Sequence, residues 1–208
     1  MMLPLIAGAE DIETVLPKAQ AGDVKAMVQL AEIYSNSWDE GAAEKAVSWY
    51  KKAAAAGNAE AMFKLYEAYS MSLLGLESND DVAKEWLDKS AAKGYGEAFY
   101  VQGTKLMFED EAKSMKLITQ GAEAGSGNAQ LHLAKLYSNS WYEGNNPAKA
   151  FEWAKKSAEQ NVGEAQYLLA TFYLKGVGTT PNKTEAVKWL KKACENDFST
   201  AKEIMEWL

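Results

Sequence analysis

Residues 46–57 read AVSWYKKAAAAG, and similar stretches recur along the chain. They are AKEWLDKSAAKG at 83–94, SMKLITQGAEAG at 114–125, AFEWAKKSAEQN at 150–161 and AVKWLKKACEND at 186–197. In the first stretch, Trp49, Tyr50 and Ala53 follow Ala46 by three, four and seven residues, which is the spacing of one helical face. The stretches end 31 to 37 residues apart, so they predict a helical repeat.

A second helix precedes each of these stretches. In the first repeat, Ala26, Leu30 and Tyr34 lie on one face of a 3.6-residue helix. The glycines that end the second helices accept the left-handed backbone of a helix C-terminus. Second helices should begin after residues whose side chains cap free amides. These predicted caps are Asn79, Asp110, Asn146 and Asn182, with Gly41 in the first repeat.

The pattern resembles the Sel-one-like repeat family, which is related to the tetratricopeptide repeats. The fifth repeat carries the motif most completely, in Ala165, Leu169, Ala170, Tyr173, Gly176, Gly178, Asn182, Ala186, Trp189 and Leu190. The third repeat departs most, because Leu117 stands in place of Trp and Gln102 in place of Leu. The resemblance implies an all-α, right-handed α-solenoid that holds a partner protein.

We expect about five helix-turn-helix repeats, with a capping half-repeat at each end because solenoids need covered ends. A short segment, 1–9, precedes a single repeat array, 10–208. The array divides into a half-repeat 10–21, repeats 22–57, 58–94, 95–125, 126–161 and 162–197, and a C-terminal cap 198–208.

The charge balance favours a protein partner. The 208 residues include 22 Lys and Arg and 29 Asp and Glu, a net charge of −7. Phosphate backbones would repel such a chain, so nucleic acid is disfavoured and a basic protein fits better.

The sequence also predicts a cytoplasmic, bacterial protein without a membrane segment. Cys194 is the one cysteine, which excludes a disulfide within the chain, and no run approaches the roughly 18 apolar residues of a membrane helix. Ala7-Gly8-Ala9 resembles a signal-peptidase site, but Pro4 interrupts the apolar stretch before it and no basic residue precedes it.

Catalytic patterns are sparse, and we expect no enzyme, cofactor or metal. Ser90 and Lys93 match the S-x-x-K pattern of penicillin-recognising enzymes, but the further motifs of those enzymes are missing. His132 is the only histidine, and Cys194 occupies a small helix-contact position. The acidic run 109–111 lacks the spaced ligands of a calcium loop.

Candidate partner-binding residues come from two sources. Tetratricopeptide geometry places one face of each first helix toward a concave groove, and that face includes Glu32, Phe63, Glu67, Tyr100, Lys135 and Tyr167. Trp38 and Trp141 occur in the same phrase, Tyr-Ser-Asn-Ser-Trp. We expect each indole to pack back on its own repeat, while the alternative is a pair of aromatic anchors for a partner.

Three functions follow, in decreasing order of support. The first is a protein–protein interaction module that acts as an adaptor, scaffold or inhibitor. The second is an immunity protein that neutralises a secreted toxin. The third is an enzyme that attacks β-lactam-like substrates through Ser90 and Lys93.

Overall fold

The structure, a computed structural model, describes residues 7–196 and 198–205, with side chains from Ile12 onward. All regular secondary structure in these residues is α-helical, which confirms the predicted all-α fold. The helices are α1 (Ala7–Gln20), α2 (Val24–Ser35), α3 (Ala42–Ala55), α4 (Ala59–Ser70), α5 (Asp80–Ala92), α6 (Gly96–Lys105), α7 (Glu111–Glu123), α8 (Gly127–Ser138), α9 (Pro147–Glu159), α10 (Gly163–Lys175), α11 (Lys183–Glu195) and α12 (Ser199–Met205).

Helices α2 to α11 form the five predicted pairs, and α1 and α12 are the predicted half-repeats. The chain divides into two compact units, of which the first ends at Ala98 and the second begins at Phe99, within α6. Parts of the predicted end segments, 1–6 and 206–208, lie outside the described residues, as does Asp197.

The second helix of each pair begins where the sequence predicts. The side-chain oxygens of Asn79, Asp110, Asn146 and Asn182 each accept a hydrogen bond, of 2.9 to 3.1 Å, from the amide three residues ahead. Gly41 precedes α3 with a left-handed backbone and no side-chain bond. A polar cap contributes about 1 kcal/mol, so these four residues fix the helix starts.

Left-handed residues follow the second helices of the first four repeats, as predicted for the glycines among them. Gly57, Gly94 and Gly125 have φ values of 89°, 83° and 95°. Asn161 takes the same role with a φ of 62°, and Asn is the residue that tolerates this conformation best after Gly.

The core of the first unit joins small and large side chains. Fully buried Leu30 packs with Ala26, and fully buried Leu65 packs with Ala46 and Ala53. These small residues let neighbouring helix backbones approach closely. Trp49 is partly buried and packs against the cluster of Leu30 and the cluster of Leu65. A large ring therefore fills the space that the alanines leave.

The second unit repeats this scheme. One cluster contains Ile118 and Leu133, and the other contains Leu169 and Leu190. Trp153 is partly buried and packs against both. It therefore links adjacent helix pairs, in the same way as Trp49 in the first unit.

Two buried serines join the helices of a pair. The Ser90 hydroxyl donates to the Ala59 carbonyl over 2.7 Å, and the Ser157 hydroxyl donates to the Gly127 carbonyl over 2.7 Å. Both serines are fully buried, at the same repeat position. Each bond ties the end of a second helix to the first turn of the helix before it.

A ladder of side-chain amides runs through the second unit. Gln130 donates to the Ala122 carbonyl over 3.0 Å, and Gln160 donates to the Gln130 side-chain oxygen over 2.7 Å. The next repeat forms the same pair of bonds, from Gln166 to Ala158 over 3.2 Å and from Asn196 to Gln166 over 2.8 Å. The equivalent positions of the first unit hold Met27 and Met62 and are apolar.

The divergent third repeat keeps its close helix packing through a glycine. A Cβ at Gly103 on α6 would lie 2.8 Å from the Ile118 side chain and 3.1 Å from the Ser114 carbonyl oxygen on α7. The first and fifth repeats hold Ala31 and Ala170 at this position. The glycine therefore makes room for a branched side chain on the facing helix.

Candidate functional site

The first unit contains an open pocket of about 530 Å³. It lies between the C-terminal ends of α2 and α4, the middle of α3 and the loop after α4. Its lining residues are Glu32, Ser35, Asn36, Tyr50, Lys64, Glu67, Ala68, Leu73 and Leu74. The structure thus brings together two predicted partner-binding residues, Glu32 and Glu67, which come from different repeats.

Of the two glutamates that line the pocket, one forms an ion pair and the other does not. Lys64 forms an ion pair with Glu67 over 2.9 Å. Glu32 makes no ion pair among the described residues, and its pKa is raised above the ordinary value. Burial is the main cause and the nearby Glu60 carboxylate adds to it, while Lys64 opposes the shift. The pocket therefore carries an unpaired carboxylate close to a second acid.

Tyr50 forms the buried base of the pocket. Only 3% of its surface is exposed, and burial raises the pKa of its phenol. Its hydroxyl is hydrogen-bonded to the Ser35 side chain, which partly offsets that rise. The Ser35 hydroxyl donates in turn to the Glu32 backbone carbonyl over 2.8 Å, which links the base of the pocket to the end of α2.

Phe63 supports this region from inside. Its side chain is 7% exposed, and its ring lies 5.4 Å from the Tyr66 ring and 5.3 Å from the Tyr95 ring. Burial, followed by the charge of Glu60, raises the pKa of Tyr95 to about 12. Sequence reasoning assigned Phe63 to partner contact, but its ring is enclosed by aromatic neighbours of its own unit.

The loop after α4 supplies the apolar wall of the pocket. Ser72 and Leu74 both have a φ of 54°, in the left-handed region that few non-glycine residues adopt. The Leu73 amide donates to the Ala68 carbonyl over 2.9 Å, which anchors the loop to the end of α4. The strained backbone presents Leu73 and Leu74 to the pocket, and such strain is frequent at functional sites.

Predicted partner-binding residues of the second unit have different neighbours. Tyr100 packs edge-on against His132, with 6.1 Å between ring centres, and burial and Lys135 lower the pKa of this histidine. Lys135 forms an ion pair with Glu164 over 2.6 Å. Tyr167 packs on Phe198 at 5.2 Å.

Trp38 and Trp141 project into solvent. Their relative exposures are 102% and 94%, so the prediction that each indole packs back on its own repeat is wrong. Both loops are ordered by polar bonds and not by the rings. The Asp39 amide donates to the Ser37 hydroxyl over 3.1 Å, and the Trp141 amide donates to the Asn139 side chain over 2.9 Å.

The serine-nucleophile hypothesis is contradicted by the position of Ser90. This side chain is fully buried and its hydroxyl is committed to the Ala59 carbonyl, while Lys93 lies at the C-terminal end of α5. Ser157 forms the equivalent bond in the second unit. The S-x-x-K match is therefore a helix-packing feature.

Cys194 is partly buried against the core, in a small-residue position.

Neither a metal site nor a membrane-spanning helix is found in the part of the chain that the structure describes. No three His, Cys, Asp or Glu side chains there converge on a point where a metal ion could bind. No helix there combines the length and the apolar character needed to cross a bilayer.

Curated and solved proteins share parts of this pattern. An F-box protein of Arabidopsis thaliana is 36% identical over 89 residues, which cover 43% of this chain and 24% of that protein. A Sel1 repeat protein from Oxalobacter formigenes has a TM-score of 0.64 at 24% identity, over 94% of this chain and 86% of the other. An immunity protein from Pseudomonas aeruginosa has a TM-score of 0.65 at 19% identity, over 86% of this chain and 68% of the other. At these identities the two structures show a common fold.

The repeat itself is matched directly. The family model of the Sel1 repeat matches five consecutive segments, at residues 24–58, 59–95, 95–126, 127–162 and 163–198. Each segment contains one of the helix pairs from α2/α3 to α10/α11. The chain therefore belongs to the Sel1 repeat family.

Proposed function

We propose that this chain is a protein-interaction module, an adaptor, scaffold or inhibitor, that engages its partner through the loops of Trp38 and Trp141. Sel1 repeat proteins bind protein partners and are generally non-catalytic. The observation that carries the proposal is the exposure of these two indoles at equivalent positions of two repeats. Their rings contribute little to the fold, so a partner is the simplest reason to hold them in ordered loops.

The energy that such a ring offers is large. Covering a tryptophan removes about 150–250 Å² from water, which corresponds to roughly 4–6 kcal/mol at about 25 cal/mol per Å². Two such anchors could offset much of the roughly 4–15 kcal/mol that association costs. Trp is also a preferred residue at binding hot spots.

The negative charge of the chain, and of the residues near the two tryptophans, favours a basic partner. Asp39 and Glu40 follow Trp38, and Glu143 lies two residues after Trp141. With a net charge of −7, the chain would attract a basic surface over several ångströms and repel an acidic one. We therefore expect an apolar pocket with a basic rim on the partner.

Affinity capture from the native lysate tests the proposal. Wild type would be compared with Trp38→Ala/Trp141→Ala and with Phe108→Ala, which removes another ring that is 97% exposed but lies outside the repeated phrase. We expect one stoichiometric protein with wild type and with Phe108→Ala, and its loss with the double variant. Equal capture by wild type and both variants, or capture of nothing above background, would overturn the proposal.

An immunity protein that neutralises a secreted toxin is the second candidate function. It is supported by the fold that the chain shares with the immunity protein from Pseudomonas aeruginosa, and by a negative charge that suits a basic toxin. Co-expression with the product of a neighbouring toxin gene tests it. Restored growth together with one-to-one binding would support an immunity role, and growth arrest unrelieved by this chain would exclude it.

A further inference from the structure

One carboxylate that lines the pocket of the first unit, that of Glu32, has no cationic partner within ion-pair distance among the described residues. Lys64 is held by Glu67 at 2.9 Å, whereas Glu32 faces Glu60 and Lys64 without an ion pair of its own. Counting Glu32, Glu60, Glu67 and Lys64, acids exceed bases around this pocket. An added positive charge would relieve the repulsion between Glu32 and Glu60, which is the same repulsion that helps to raise the pKa of Glu32.

The walls suit a long side chain with a charged end. Ala68, Leu73 and Leu74 offer apolar surface for a hydrocarbon stem. Ser35 and Tyr50 line the same pocket as Glu32. A volume of about 530 Å³ is within the range of small-ligand sites. Lysine and arginine bury their stems along apolar surface and keep a cationic head for polar partners.

We propose that this pocket receives the side chain of a lysine or arginine of the partner protein. The head group lies against Glu32 and its stem against Leu73 and Leu74. This deepens the proposed function and rests on it, because it describes how a basic partner is recognised, but it uses residues other than Trp38 and Trp141.

Other cations are less suited to the pocket. A metal ion would need converging ligands, and the described residues offer no group of three that could hold one. A free polyamine shares the charge but brings no peptide backbone. It is therefore an outcome that the experiment must separate from a protein side chain.

The test uses the full chain and small probes of defined chemistry. Amide shifts would be followed by NMR during titration with Nα-acetyl-arginine amide, with Nα-acetyl-lysine amide and with the neutral isostere Nα-acetyl-citrulline amide. We expect saturable shifts at residues 32–36 and 64–74 with the two cationic probes only. Glu32→Gln should weaken this binding about fivefold, as for loss of one partly screened charge pair, whereas the same change at the exposed Glu152 of α9 should not alter it.

Several results would overturn the proposal. They are the absence of saturation at tens of millimolar, equal shifts with the citrulline probe, and unchanged affinity in Glu32→Gln. Binding of spermidine without binding of either amino-acid amide would identify a free polyamine as the occupant instead. Probe binding with no partner captured would refute the proposed function alone, and partner capture with no probe binding would refute the pocket assignment alone.

Discussion

Replacing Trp153 by alanine should strongly destabilise the second unit. The ring packs against both core clusters of that unit, and the Lys156 ammonium lies 4.3 Å from its centre. Loss of about 150 Å² of buried apolar surface, at about 25 cal/mol per Å², corresponds to roughly 4 kcal/mol. The cation–π contact adds about 0.5–1 kcal/mol. We expect a loss of about 3–5 kcal/mol, a large share of the typical total of about 5–15 kcal/mol.

Trp141→Ala is the matched control. It makes the same chemical change in the same unit, but this ring is 94% exposed, so we expect a change within about 0.5 kcal/mol. Urea unfolding followed by circular dichroism at 222 nm would give both values from the shift of the midpoint. If the two variants differed by less than about 1 kcal/mol, the packing role assigned to Trp153 would be refuted.

Three further predictions concern single side chains. Ser157→Ala should cost about 1 kcal/mol in urea unfolding, because alanine fits the site but donates no hydrogen bond; an unchanged midpoint would contradict this. Gly178→Ala should cost about 2–4 kcal/mol, since the residue has a φ of 67° and a Cβ would collide with the Pro147 carbonyl oxygen; a thermal midpoint equal to wild type would refute the close approach. Burial and Glu60 raise the folded-state pKa of Glu32, so its stabilising contribution is present at acid pH and is lost as pH rises through that pKa. Glu32→Gln should therefore be more stable than wild type at neutral pH and should lose this advantage in acid, as thermal melts at several pH values would show; an advantage independent of pH would contradict the sign.

Helix starts and ends were predictable because they depend on local chemistry. A side chain such as Asn146 caps whatever helix follows it, and Pro147 suits the first helical position, so neighbouring residues decide the outcome. The left-handed Asn161 follows from the same local reasoning. The repeat then presents such local signals several times along the chain, which is why the helix pairs could be placed without knowledge of their packing.

The pocket and the exposed rings depend on tertiary relations that no local pattern encodes. Glu32 and Glu67 were found because both follow from one repeat position, but Leu73 and Leu74 belong to a loop whose left-handed residues are not glycines. The repeat position of Phe63 predicts a side chain on the groove surface, whereas in the structure its ring packs against those of Tyr66 and Tyr95.

The exposure of the Trp38 side chain likewise could not be predicted from the sequence. Hydrophobicity favours burial of an indole, and only the geometry of the loop shows that its own repeat offers no place for it.

The amide ladder of the second unit has a consequence for how the protein could be lengthened. Gln130 and Gln166 each donate to a carbonyl of the preceding repeat, that of Ala122 or Ala158, and accept from a side chain of their own repeat. The segment 127–162 thus contains a donor for the repeat before it, Gln130, and an acceptor for the repeat after it, the Ala158 carbonyl. A duplicated copy of the segment 127–162 would therefore bring a donor and an acceptor that match both of its new neighbours. In the first unit, where Met27 and Met62 occupy these positions, a copied segment would bring no such amide bonds. Tandem duplication should thus be tolerated better among the later repeats, which also makes them the better starting point for engineering longer arrays.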